Sequence, residues 1–127
     1  MVYLWIAFGS ALGGVGRYAL QGWAARSLGA TFPWGTLFVN ILGCAFIGWF
    51  ATMTAPEGRL LVGSAARQFV MVGICGGFTT FSSFSLETLN LARAGEPGRA
   101  MAYVLGSVLL CLAGVWLGSA AALGLSR

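Results

Sequence analysis

Four long stretches of this chain are almost free of charge: residues 2–25, 34–53, 67–92 and 100–125, with only Arg17 and Glu87 well inside them. Each is long enough to cross the hydrocarbon of a bilayer, which takes about 20 residues as a helix. No water is present at that depth to satisfy backbone N–H and C=O groups, so each stretch must bond to itself, and an α-helix does so. Hydrophobic residues make up 58% of the chain and charged residues 8%. A soluble domain has about a quarter of its residues charged, so too little polar surface is available to cover a globule in water. The reading is an all-α integral membrane protein with four transmembrane helices, residues 1–127 forming one membrane domain without a separate soluble one. Pro, Gly and charge mark the connections: residues 26–33, then Thr54-Ala55-Pro56-Glu57-Gly58-Arg59, then Arg93-Ala94-Gly95-Glu96-Pro97-Gly98-Arg99.

Whole classes of chemistry are excluded by composition. The chain has no His, no Asp and no Lys, which removes a His-based triad, a His or Asp metal cage and a P-loop lysine. An enzyme is therefore not expected. The formal charge of +4 comes from seven Arg scattered singly, not from a basic run that would track phosphates, so no nucleic-acid partner is expected. Cys44, Cys75 and Cys111 each sit in an apolar stretch without CxxC spacing and read as small core residues. The apolar N-terminus has no basic leader and runs on past Arg17, unlike a signal peptide.

Orientation in a membrane follows the excess of Lys and Arg in the cytoplasmic connections. With four spans, Arg59, Arg67 and Arg127 fall on one side, and Arg26, Arg93 and Arg99 on the other. That balance is either chance in a small sample or the mark of insertion in both orientations and an antiparallel homodimer, which would give four short helices a second wall. Small residues at Gly9, Gly13 and Gly16 and at Gly43 and Gly48 would let helices approach closely.

Polar residues inside spans are costly in lipid and face protein or a water-filled path. They are densest in Gly73-Ile74-Cys75-Gly76-Gly77-Phe78-Thr79-Thr80-Phe81-Ser82-Ser83-Phe84-Ser85-Leu86-Glu87. Two adjacent Gly followed by two Thr weaken a helix at this point. Either its freed carbonyls become hard ligands for a small cation such as Na⁺, or the Thr79 and Thr80 hydroxyls satisfy a simple kink. Phe81 and Phe84 share a helix face close to Thr80 and Ser83. Such a pair packs a core or faces lipid, but the positive edges of its rings would also contact an anion weakly, as permeation requires. Tyr103, Ser107 and Cys111 form a stripe at i, i+4 and i+8 on the fourth span, and Thr36 and Asn40 lie four apart on the second. Asn40 would offer its NH₂ to an anion or join two helices. Arg17 at the mouth of a path would concentrate anions, whereas Glu87 opposes them unless paired with Arg or bonded to the Tyr103 hydroxyl.

These residues resemble the Fluc/CrcB family of small fluoride channels. The resemblance spans the chain and rests on the Gly-rich first helix with Arg17, on Trp34-Gly35-Thr36-Leu37-Phe38-Val39-Asn40, and on the segment from Gly76 to Glu87. It implies a bacterial plasma-membrane protein conferring fluoride resistance, a dual-topology antiparallel homodimer with a broken third helix and two fluoride pores. It also implies a structural Na⁺ held by the Gly76 and Thr79 carbonyls, pore rings at Phe81 and Phe84, a pore amide at Asn40, and a polar track at Tyr103, Ser107 and Cys111. The family commonly has Thr where Ser83 stands and Ser where Cys111 stands, and a thiol is the poorer donor. A small proton-coupled multidrug exporter is a rival reading, but it needs a midspan carboxylate. A non-transporting membrane subunit, its polar residues only joining helices, is another.

Overall fold

In a computed structural model that describes residues 1–125, the chain is helical almost throughout, without a strand among the described residues. Helix α1 spans Val2–Leu28 and α2 Trp34–Met53; then come α3 (Ser64–Gln68), a π-helix (Phe69–Cys75) and α4 (Gly76–Phe78), continuous in the chain. After Thr79 and Thr80, α5 spans Phe81–Arg93 and α6 spans Pro97–Leu125. By length and composition three segments can cross a membrane: Trp34–Met53, Ser64–Arg93 and Pro97–Leu125. Helix α1 matches them in length, but its glycines, Arg17 and Gln21 dilute its apolar character. Arg127, one of the six arginines in the topology count, lies outside the described residues.

The loop expected at residues 93–99 is tighter than its composition suggests. Gly95 turns the chain at φ 79°, a conformation that costs glycine nothing, and Pro97 opens α6, its fixed φ suiting a first helical position. Gly98 and Arg99, expected in the loop, therefore belong to the first turn of α6.

Close backbone approach, rather than interlocking large side chains, holds the bundle together. A Cβ on Gly77 would stand 2.9 Å from the Ser10 Cα, and one on Gly73 3.0 Å from the Gly9 Cα, so α1 and the third segment touch along paired glycines. On the other side of α2, a Cβ at Gly48 would meet the Val115 carbonyl, and one at Gly118 the Ala45 carbonyl. This suits a bundle in lipid, where no hydrophobic force drives one helix against another and small residues permit backbone contact. Of the small residues singled out in the sequence, Gly43 lies against the Thr79 methyl and Gly16 against the Phe78 ring.

Outward surfaces are apolar. Leu105, Leu109, Leu112 and Trp116 of α6 are each more than half exposed, as are Tyr3, Leu4, Phe8 and Val15 of α1. The core is small: Leu37, Phe84, Leu91, Ala100 and Tyr103 cluster where α2, α5 and α6 meet. Gly48→Leu is expected to destabilise the fold by about 1–3 kcal/mol through overpacking. Thermal unfolding in detergent measures this, with Gly124→Leu, which has open space around it, as the neutral control.

Candidate functional site

Helical bonding stops at Phe78. Thr79 (φ −82°, ψ 157°) and Thr80 (φ −151°, ψ 114°) are extended before α5 resumes. Extended backbone inside an apolar segment leaves polar groups in need of partners, and the chain supplies most of them. Asn40 on α2 faces the interruption and uses both ends of its amide: Nδ2 donates to the Thr80 carbonyl at 3.1 Å, and Oδ1 accepts the Thr80 N–H at 2.8 Å. Thr80 caps α5 by accepting the Ser83 N–H on Oγ1 at 3.1 Å. Arg17 reaches from α1, its Nε donating to the Gly77 carbonyl at 3.2 Å. Of the two roles open to Asn40, joining helices is fulfilled, and one N–H of its NH₂ remains.

Several carbonyls are left short by this rearrangement: that of Phe78, whose helical partner would be the Ser82 amide, and those of Gly76 and Thr79. A continuous helix would bring the Thr80 amide to Gly76 O and the Ser83 amide to Thr79 O. Here the first goes to Asn40 and the second to the Thr80 hydroxyl. The Thr79 hydroxyl donates to Cys75 O at 2.9 Å and so relieves none of them. The kink is thus partly satisfied by its own threonines, while Gly76 and Thr79 keep oxygens available to another ligand.

Beside the break lies a groove of about 400 Å³, walled by Asn40, Gly76, Thr79, Thr80, Phe81, Phe84, Ser107 and Cys111. Its character is apolar with a few convergent polar groups, as in small-ligand sites generally. The Phe81 and Phe84 rings are 5.4 Å apart and tilted by 49°. Phe84 is buried and Phe81 is 78% exposed, so the pair spans the groove from its floor to its open side. The Ser107 Oγ is buried without a hydrogen-bond partner among the described residues. Such an orphan typically costs about 1–3 kcal/mol, which makes an absent acceptor the natural complement of this site.

The other polar residues gather elsewhere. Glu87 accepts the Thr36 hydroxyl on Oε1 at 2.7 Å and the Tyr103 hydroxyl on Oε2 at 2.9 Å. The Gln21 amide in turn donates to Thr36 Oγ1 at 2.9 Å. Gln21, Thr36, Ser83 and Glu87 line a second cavity of about 530 Å³ at the α1–α2 and α5–α6 connections. Tyr103 is 1% exposed, its ring 5.1 Å from Phe84 and 5.5 Å from Phe32. The stripe on the fourth span therefore divides, with Ser107 and Cys111 facing the groove and Tyr103 joining Glu87. Of the two partners open to Glu87, the tyrosine hydroxyl is the one found. Gln21 was missed in the sequence, although as an amide inside an apolar stretch, one turn after Arg17, it met the criterion that picked out Asn40.

Residues 4–119 match the family model described as "CrcB-like protein, Camphor Resistance (CrcB)". A protein of Opitutus terrae named fluoride-specific ion channel FluC is 63% identical over 98% of this chain and 95% of its own length. Proteins of the same name from Methylocella silvestris and Rhodospirillum rubrum are 53% and 56% identical, over 100% and 93% of this chain and 97% and 92% of their own lengths.

Replacing Asn40 by Leu strands both backbone groups of Thr80 and is expected to cost about 2–3 kcal/mol. Thermal unfolding in detergent, compared with Ser82→Ala at an exposed hydroxyl nearby, checks it.

Proposed function

The chain belongs to the CrcB family and is a multi-pass bacterial membrane protein, and from this membership together with the groove we propose that it is a fluoride-selective passive channel rather than an enzyme. The observation that carries the reading is the buried Ser107 hydroxyl, a donor without an acceptor, on the wall of a groove that also holds two phenylalanine rings. Fluoride is small and strongly hydrated. A selective path must replace its water with donors at close range, and narrowness then excludes chloride. Ser107 O–H, the second N–H of Asn40, the Thr80 hydroxyl and the weaker Cys111 S–H are such donors, and the edges of Phe81 and Phe84 add contacts weak enough to release the ion. Thr36, Ser83 and Glu87 would form the mouth of this path, with Tyr103 buried behind them and holding the Glu87 carboxylate, and Arg17 raises the local anion concentration beside the break. Hydrogen fluoride that enters from acid surroundings dissociates in a neutral cytoplasm. A passive pore then suffices for export, because the membrane potential drives the anion out.

We infer further that the functional unit is an antiparallel homodimer of four-span subunits, α1 being the fourth span, with two pores. Support comes from the balanced arginines and from α5, where Phe81, Ser82 and Ser85 are exposed next to the break. Hydroxyls and an open groove at membrane depth need a protein cover, and a second copy provides one. The Gly76 and Thr79 carbonyls, deprived of their helical amides, fit the hard oxygen donors that Na⁺ takes. They would hold it as a structural ion at the dimer centre, and what the ion supplies is positive charge where extended backbone would otherwise be unsatisfied. The carboxylate of Glu87, bonded at both oxygens, favours a fixed role over proton coupling.

Purified protein in liposomes loaded with fluoride should release it rapidly once valinomycin clamps the potential, and chloride-loaded vesicles should not. Phe81→Ile and Phe84→Ile should each reduce fluoride efflux at least about tenfold with the dimer intact on size-exclusion chromatography, a loss of about 1.4 kcal/mol in the barrier balance. Unchanged flux in both variants would remove the ring edges from the mechanism. Replacing Na⁺ by N-methylglucamine throughout purification should lower the unfolding temperature of the wild type, and no change would remove the ion.

A further inference from the structure

The connection between α2 and α3 carries a cavity of about 620 Å³, lined by Thr54, Ala55, Pro56, Leu60–Gly63 and Arg67, that plays no part in the groove or its mouth. One cation is mounted in it. The Thr54 hydroxyl donates to the Phe50 carbonyl at 2.7 Å, and its oxygen accepts the Arg67 Nε–H at 3.1 Å. The two terminal nitrogens of Arg67 have no partner among the described residues, where the single ion pair is Arg99 with Glu96. A guanidinium fixed by Nε presents those nitrogens as a planar fork, the geometry that matches two oxygens of a phosphate. The surroundings identify the source of that phosphate. Leu61 is 94% exposed and Leu60 41%, and Leu60 is tied back to the end of α2 by its N–H to Met53 O at 2.9 Å. Apolar side chains held outward at the end of a membrane helix lie among acyl chains, while the arginine beside them stands at headgroup depth.

We propose that Arg67, oriented by Thr54, binds the phosphodiester of a phospholipid headgroup, with Leu60 and Leu61 against its acyl chains. The site is independent of fluoride conduction and rests only on the chain crossing a bilayer. Arg59 provides an internal control, being exposed on the same loop but not lining the cavity.

The test is native mass spectrometry of the purified full chain in detergent, titrated with dioleoylphosphatidylglycerol, with dioleoylglycerol and inorganic phosphate in parallel arms. Retention of the phospholipid but not of the diacylglycerol is expected. Arg67→Gln should lower retention about tenfold, in line with loss of a hydrogen-bonded charge. Thr54→Val and Arg67→Lys, which keep the charge but lose the mount or the fork, should fall between, and Arg59→Gln should stay near wild type. The protein mass and oligomeric state in the same spectra show whether each variant is folded. Equal losses for Arg59→Gln and Arg67→Gln would reduce the effect to general surface charge. Equal retention of diacylglycerol, or displacement of the lipid by millimolar phosphate, would overturn the assignment to a lipid headgroup.

Discussion

Every backbone N–H and C=O at membrane depth needs a partner from protein, and the rest of this structure depends on how that requirement is met at Thr79 and Thr80. A helix that stops inside an apolar segment would be prohibitively costly without help. Asn40 supplies it by pairing both of its amide groups with one residue of the extended segment. In doing so it fixes the separation of α2 from the start of α5, and hence the width of the groove between them. The groove is a by-product of satisfied backbone.

That arrangement also explains why charge is placed as it is. Arg17 does not float at an interface but donates to Gly77 O just before the break. Glu87 is absorbed by two hydroxyls, one from α2 and one from α6, and the first of these is itself oriented by Gln21 from α1. Arg17 and Glu87 are therefore each anchored by hydrogen bonds to another segment. Around the break, the groups left without partners among the described residues are neutral donors and backbone oxygens, and these suit transient contact with ions better than fixed charges do.

The positions of α2, α6 and the third segment were legible in the sequence because hydropathy and length mark them almost alone. The glycine contacts were legible because only small residues allow backbones to touch. The interruption at Gly76–Thr80 could be suspected from its composition, but its form could not. Two outcomes, a hydroxyl-satisfied kink or freed carbonyls, were both open, and the structure combines them. What decides between them is Asn40, forty residues earlier in the chain, and no local pattern announces a pairing at that distance. The π-helix over Phe69–Cys75 was equally silent, since an extra residue per turn changes no hydropathy. The split of the Tyr103, Ser107 and Cys111 stripe was hidden for the same reason: spacing puts three side chains on one face, whereas their partners lie on other helices.

The Asn40 bonds bear on how the molecule is made. Chains are synthesised from the N-terminus, and segments assemble in that order. Helix α2 is complete before Thr79 and Thr80 leave the ribosome, so the side chain that satisfies the extended segment is already present when that segment enters the bilayer. The reverse order would insert an interrupted helix with nothing to complete it. Biogenesis thus delivers the partner ahead of the need, and a permuted chain that placed α5 before α2 would meet its difficulty at the translocon rather than in the finished fold.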